Sequence, residues 1–118
     1  MNSKILIVED EAKLREVLCD YLSSKGELPV EASNGMQALE LIDENEFDAV
    51  LLDIMMPELD GFSAVAEIKK IASPAVIMLS ARGEEYDKIH GFELGVDDYV
   101  VKPFSPKELM MRVAAVMS

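Results

Sequence analysis

The sequence predicts an α/β protein in which five strands and five helices alternate strictly around a parallel sheet, with helices on both faces. Three observations carry this. Consecutive aliphatic residues recur in short runs at positions 5–8, 49–52 and 75–79, the pattern of strands buried on both faces. The stretches between them carry apolar residues at helical spacing. The runs end at polar residues, Glu9, Asp53 and Ser80, which places those residues at the carboxyl edge of the sheet, where open α/β folds bind ligands.

The first strand spans residues 4–9 and leads into Glu9, Asp10 and Glu11. Leu14, Val17, Leu18, Tyr21 and Leu22 follow at i, i+3, i+4, i+7 and i+8, an amphipathic helix with these residues inward. Asp10 is its expected N-cap and Gly26 its stop. Residues 27–33 alternate, with Leu28, Val30 and Ala32 on one face and Glu27, Pro29 and Glu31 on the other. A proline inside such a strand marks an edge, because it cannot donate to a ladder on both sides. Asn34-Gly35 opens a second helix with Ala38, Leu41 and Ile42 inward.

Residues 47–61, FDAVLLDIMMPELDG, carry the third strand, then Asp53, then a turn through Met56-Pro57 and Asp60-Gly61. A helix over about residues 62–72 has Val65, Ile68 and Ala72 spaced for burial. The fourth strand ends at Ser80. The helix over about residues 84–94 is poorly patterned: it holds Ile89 and Phe92, an interior Gly91 and flanking Gly83 and Gly95, so low local stability is expected of it. Residues 97–101 form a short fifth strand ending at Lys102-Pro103. The last helix opens on a capping box, with Ser105 as N-cap, Pro106 at N1 and Glu108 at N3, and turns Leu109, Val113 and Val116 inward. Strict alternation implies right-handed crossovers. With the second strand at an edge, the expected arrangement is the flavodoxin-like order 2-1-3-4-5.

The 118 residues, half of them hydrophobic, suit one domain with a substantial core. With 11 basic and 23 acidic residues the net charge is −12, a field that repels nucleic acid and anionic membrane. Direct nucleic-acid contact and membrane association are therefore not expected. The single Cys19 reads as core filling, and the eight methionines likewise as core and helix formers. Only four aliphatic residues stand together near the start, too few for a signal peptide or a transmembrane span, so a cytoplasmic location is expected.

In the expected topology Glu9, Asp10, Asp53, Ser80 and Lys102 meet at one edge from four strands. Three neighbouring carboxylates repel, by about 4 kcal/mol per pair at about 4 Å and an effective dielectric near 20. A hard cation with oxygen ligands, Mg²⁺ or Mn²⁺, relieves this. Lys102 adds a fixed positive charge and Ser80 a hydroxyl. The set suits phosphoryl transfer, which needs positioning and charge neutralisation, with a carboxylate as nucleophile. Asp53 ends the central strand and is the expected nucleophile.

Glu9-Asp10, Asp53 with Met56-Pro57 and Asp60-Gly61, Ser80-Ala81, and Lys102-Pro103-Phe104 together resemble the receiver domain of two-component response regulators, over essentially the whole chain. The tail GVDDYVVKPFSPKELMMRV further resembles the OmpR/PhoB subfamily of transcriptional regulators. The resemblance implies that Asp53 accepts phosphoryl from a sensor histidine kinase. Asp10, Asp53 and the Met55 backbone carbonyl would hold the metal, with Glu9 acting through water. Lys102 and Ser80 would bind the phosphoryl oxygens, Tyr99 would rotate inward behind Ser80, and the Lys102-Pro103 bond would be cis. It also implies a homodimer through the fourth helix, fifth strand and fifth helix, with Lys88, Asp97, Asp98, Glu108 and Arg112 at cross-subunit charged positions. Residues 1–118 would then be the phosphoacceptor domain of a longer regulator whose C-terminal part binds DNA. Ser80 stands where Thr is commoner in the family.

Two other functions compete. An Asp-nucleophile phosphatase usually carries a second acid two residues after the nucleophile, where this chain has Met55. A flavin-binding module would want a Ser/Thr/Gly-rich loop after the first strand, and a degenerate receiver would lack part of the acidic set. His90, on a charged helix, reads as solvated. Arg82 and Met55 flank the site by sequence and are candidates for tuning phosphoryl lifetime.

Overall fold

In the computed structural model, which describes residues 2–56, 59–81 and 85–117 and only the backbone of Tyr86, the chain alternates as the sequence predicts. The elements are β1 (Lys4–Val8), α1 (Ala12–Ser24), β2 (Leu28–Ala32), α2 (Gly35–Glu44), β3 (Ala49–Asp53), α3 (Gly61–Ile71), β4 (Ala75–Ser80), α4 (Glu85–Glu93), β5 (Asp98–Val101) and α5 (Pro106–Met117). The five strands form one sheet in the order β2-β1-β3-β4-β5, every neighbouring pair parallel. Pro57, Arg82, Gly83 and Glu84, which the sequence reading invoked, lie outside the described residues.

Side chains alternate across the sheet and divide the core in two. On one face Leu6, Val8, Val50, Leu52 and Met78 pack with Ala38, Ile42, Val65 and Ile68 of α2 and α3, and with Tyr99. On the other, Ile5, Ile7, Leu51, Ile77 and Leu79 pack with Leu18 and Leu22 of α1 and with Leu109 and Val113 of α5. β1, β3 and β4 are buried on both faces, so their consecutive aliphatics each contribute, at about 1.5–3 kcal/mol per fully buried Val, Leu or Ile.

Local chemistry places most boundaries. Asn34 Oδ1 accepts from Gln37 N–H at 2.8 Å and starts α2. Asp60 Oδ1 does the same for α3 from Ser63 N–H, at 3.0 Å. Gly26, at φ 84°, closes α1 in a Schellman turn, with Glu27 N–H bonded to Leu22 O and Gly26 N–H to Ser23 O. Ser105 Oγ accepts from Glu108 N–H at 2.9 Å. The Glu108 carboxylate pairs with Arg112 rather than completing the capping box. The Lys102-Pro103 bond is cis.

Several expectations need correction. Asp10 does not cap α1: Glu11 holds that position and makes no side-chain cap bond. β1 ends at Val8 and β5 begins at Asp98. Val17 is exposed, because the inward stripe of α1 is narrower than its apolar content. In β2 the faces near Glu27 are exchanged. Leu28 is 52% exposed while Glu27, just before the strand, is 6% exposed, and Glu27 Oε1 accepts from Ser3 N–H at 3.5 Å. Cys19, by contrast, packs half-buried against the core as expected, and burial foremost pushes its thiol up to about 11.

Candidate functional site

Strand register brings the candidate residues together. Val8 of β1 is level with Leu52 of β3, Asp53 with Leu79 of β4, and Ser80 with Val101 of β5. Glu9 and Asp53 are therefore level, while Ser80 stands one residue and Lys102 two residues further along the carboxyl edge. The ladder continues one step past the strands: Glu9 N–H bonds Ala32 O at 3.1 Å, Ile54 N–H bonds Leu79 O at 3.1 Å, and Lys102 N–H bonds Ser80 O at 2.7 Å. These bonds fix the backbone beneath each functional side chain.

The Lys102 ammonium is the hub. Its Nζ donates to Glu9 Oε1 and to Asp53 Oδ2, at 3.0 Å in each case. Asp53 Oδ1 accepts from Met55 N–H at 3.0 Å, and Glu9 Oε2 from Glu11 N–H at 3.1 Å, so both carboxylates are held at each end. Glu9 is 1% exposed and Asp53 4%, whereas Asp10 faces solvent. One carboxylate oxygen from each of the three lies within 4.8 Å of the others. A partly buried triple carboxylate with one open side fits a hard divalent cation that keeps some of its waters.

Electrostatics agree with a site short of positive charge. Burial first, then the bond to Asp53, raises the Glu9 carboxyl from 4.5 to about 7. The bond to Lys102 opposes this but is outweighed. Burial pulls Lys102 down, but its bonds to Asp53 and Glu9 prevail and leave the ammonium above its ordinary value. One lysine thus does not fully neutralise the acids around it.

Two contributors escaped the sequence reading. Arg15 Nη1 donates to the Glu9 carbonyl at 2.6 Å while its Nε pairs with Glu31 at 3.0 Å, tying α1 to the site's backbone. Gly61 lets the start of α3 press against the Asp53 turn: a Cβ there would lie 2.5 Å from Ile54 Cα and 2.7 Å from Asp53 O, and Gly61 N–H bonds Ile54 O at 2.8 Å. The sequence marks a turn at Asp60-Gly61, but the close approach has no signature in it.

Ser80 is fully buried and Tyr99 is 6% exposed, so the Tyr99 ring is inward here. Beside the acids a cleft of about 630 Å³ runs past Asp10, Met55, Met56, Phe62 and His90. His90 is exposed but not merely solvated: its ring lies 4.6 Å from that of Phe62. The charged positions on β5 and α5 are engaged within the chain. Arg112 Nη1 pairs with Asp98 at 2.9 Å and its Nε with Glu108 at 3.2 Å, and Asp97 Oδ2 accepts from Val76 N–H at 2.8 Å. Lys88 is half-buried on α4.

A doubly wound sheet in which two acids after one strand and a lysine after another meet an aspartate at the end of a third defines a receiver-type signalling domain, and the chain belongs to the response regulator receiver domain family, whose profile matches residues 5–114. It is a signalling domain and not a metabolic enzyme. It is 45% identical over 117 residues to "Transcriptional regulatory protein SrrA" of Staphylococcus aureus (strain NCTC 8325 / PS 47), covering 99% of this chain and 48% of that protein. The chain thus spans about half the length of the curated relatives it matches. Among solved structures it is similar to the Francisella response regulator 1452 receiver domain, with 37% identity, a TM-score of 0.93, and 98% and 97% of the two chains covered. It is also similar to the chemotaxis protein CheY4 of Vibrio cholerae, with 26% identity, a TM-score of 0.88, and 98% and 99% covered. Among the described residues no helix is long and apolar enough to cross a membrane.

Proposed function

We propose that this domain is a phosphorylation-activated switch of a cytoplasmic two-component system, taking phosphoryl from a sensor histidine kinase onto Asp53. An Asp53 oxygen attacks phosphorus in line, the phosphorus–nitrogen bond of the donor phosphohistidine breaks, and the imidazole leaves with its electron pair and takes a proton from water. Lys102 already contacts Asp53 Oδ2 and is placed to hold an incoming phosphoryl oxygen. Met55 N–H fixes Oδ1, which orients the nucleophile. Asp10, Asp53 and the Met55 carbonyl would hold Mg²⁺ or Mn²⁺, with Glu9 acting through water. Bound there, the cation neutralises charge developing on the phosphoryl group. Ser80 would bind a second phosphoryl oxygen, with Tyr99 packing behind it as reporter.

Homodimerisation through α4, β5 and α5 follows in this reading. Ile89 and Phe92 of α4 and Met111 of α5 are exposed and supply apolar surface beside Lys88, Asp97, Asp98, Glu108 and Arg112. The resemblance of residues 95–113 to OmpR/PhoB proteins, and relatives about twice as long, support a regulator of transcription with a following DNA-binding domain. The receiver itself, at −12, would not touch nucleic acid.

The observation that carries the proposal is the Lys102 ammonium bridging Glu9 and Asp53 beside Asp10. The test is labelling by acetyl phosphate or a cognate kinase with Mg²⁺. Label on the parent and none on Asp53→Asn is expected, and label that survives this substitution sinks the proposal.

A further inference from the structure

At the opposite end of the sheet from Asp53, α2 and α3 end side by side and leave a groove of about 500 Å³. Its lining is partly apolar: Ile42, half-buried Phe47, Ala72, Pro74 and Ile71, the last 51% exposed. Its rim is acidic, with Asp43, Glu44, Glu46 and Asp48 all exposed.

The rim charge is poorly compensated. Asp43 and Glu44 occupy the last turn of α2, which contains no basic residue, although a helix C-terminus favours cations. Among the described residues, Asp43, Glu44 and Glu46 have no ion-pair partner. The nearby lysines are engaged elsewhere. Lys4 Nζ bonds Asn45 Oδ1 at 2.9 Å and lies 5.3 Å from the centre of the Phe47 ring. Lys69 Nζ bonds Pro74 O at 3.4 Å, and Lys70 pairs with Glu67.

We propose that this groove is a docking surface for a cationic amphipathic segment of a partner protein, one that sets an apolar side chain against Ile71 and Phe47 and lysine or arginine against the rim of α2. Charge complementarity selects the sign of the partner. The apolar lining selects a peptide over a simple cation, since a polyamine or divalent ion gains nothing from Ile71. The surface lies away from Asp53 and does not depend on the phosphoryl reading.

The test is nitrogen-15 NMR of the full chain titrated with two amidated peptides. One carries leucines at i, i+3, i+4 with lysines elsewhere, and the other has serine in place of each leucine. The lysine–leucine peptide is expected to shift amides at residues 42–48 and 71–74. Ile71→Ser, and separately Asp43→Asn with Glu46→Gln, should weaken it several-fold. The lysine–serine peptide should bind several-fold more weakly and be indifferent to Ile71→Ser. These side chains are exposed, so the variants keep the parent spectrum elsewhere. Shifts centred on another surface, equal binding of the two peptides, or equal competition by spermidine would overturn the proposal. Self-association through this face, lost in Ile71→Ser by sedimentation, would also overturn it by making a second copy the occupant.

Discussion

Glu9 carries a proton-linked contribution that runs opposite to that of an ordinary surface carboxylate. Its folded value is about 7 against 4.5, so folding favours the protonated form. The resulting stability is fully present below about 4.5 and is lost as pH rises through about 7. Metal-free protein should therefore lose resistance to urea across that window. Glu9→Gln should flatten the profile and be the more stable of the two above it, and a parallel loss in the variant would remove Glu9 as the cause. Lys102 is also raised, but its contribution is lost only in alkali, above its ordinary 10.5, and does not overlap. Mg²⁺ should restore stability above about 7 by neutralising the charge that burial disfavours. By contrast the Arg112–Asp98 pair, with side chains 42% and 22% exposed, contributes about 0–1 kcal/mol in the monomer.

At the scale of elements, two glycines on neighbouring helices should respond oppositely to the same methyl group. Gly61→Ala forces α3 away from backbone atoms at 2.5 and 2.7 Å, so it should destabilise by about 1–3 kcal/mol and slow phosphorylation of Asp53. Gly91→Ala meets Met78 Sδ and Val96 at 3.4 Å and Tyr99 at 3.6 Å, ordinary contacts. It should gain up to about 1 kcal/mol of helix propensity. Thermal unfolding distinguishes the two, and equal shifts would contradict the packing described. The same elements show what was legible beforehand. β1, β3 and β4 were plain because two-sided burial demands unbroken aliphatics, and each run delivered its acid or serine to the edge. α4 was placed correctly but its inward face was opaque, because it buries Asp87 and Gly91 and leaves Ile89 and Phe92 half exposed, which inverts the signal that periodicity reads. Arg15 could not be assigned because its target is a backbone carbonyl.

Across the whole molecule, a charge of −12 on each chain opposes self-association, and any dimer has to be held by local apolar contact and paired charges. Beryllofluoride with Mg²⁺ should raise the solution mass from one chain to two, and Arg112→Glu should prevent it. A mass that stays at one chain would retire the α4–β5–α5 face as the interface. One constraint reaches into engineering. Because Gly61 is bonded to Ile54 and pressed against the turn after Asp53, the start of α3 is fixed against the end of β3. An insertion there would unseat the helix start from Asp53, whereas the same insertion between α3 and β4, at the other end of the sheet, leaves Asp53 in place. Tags, sensors or grafted loops belong at that far end, where the chain can lengthen without altering the chemistry.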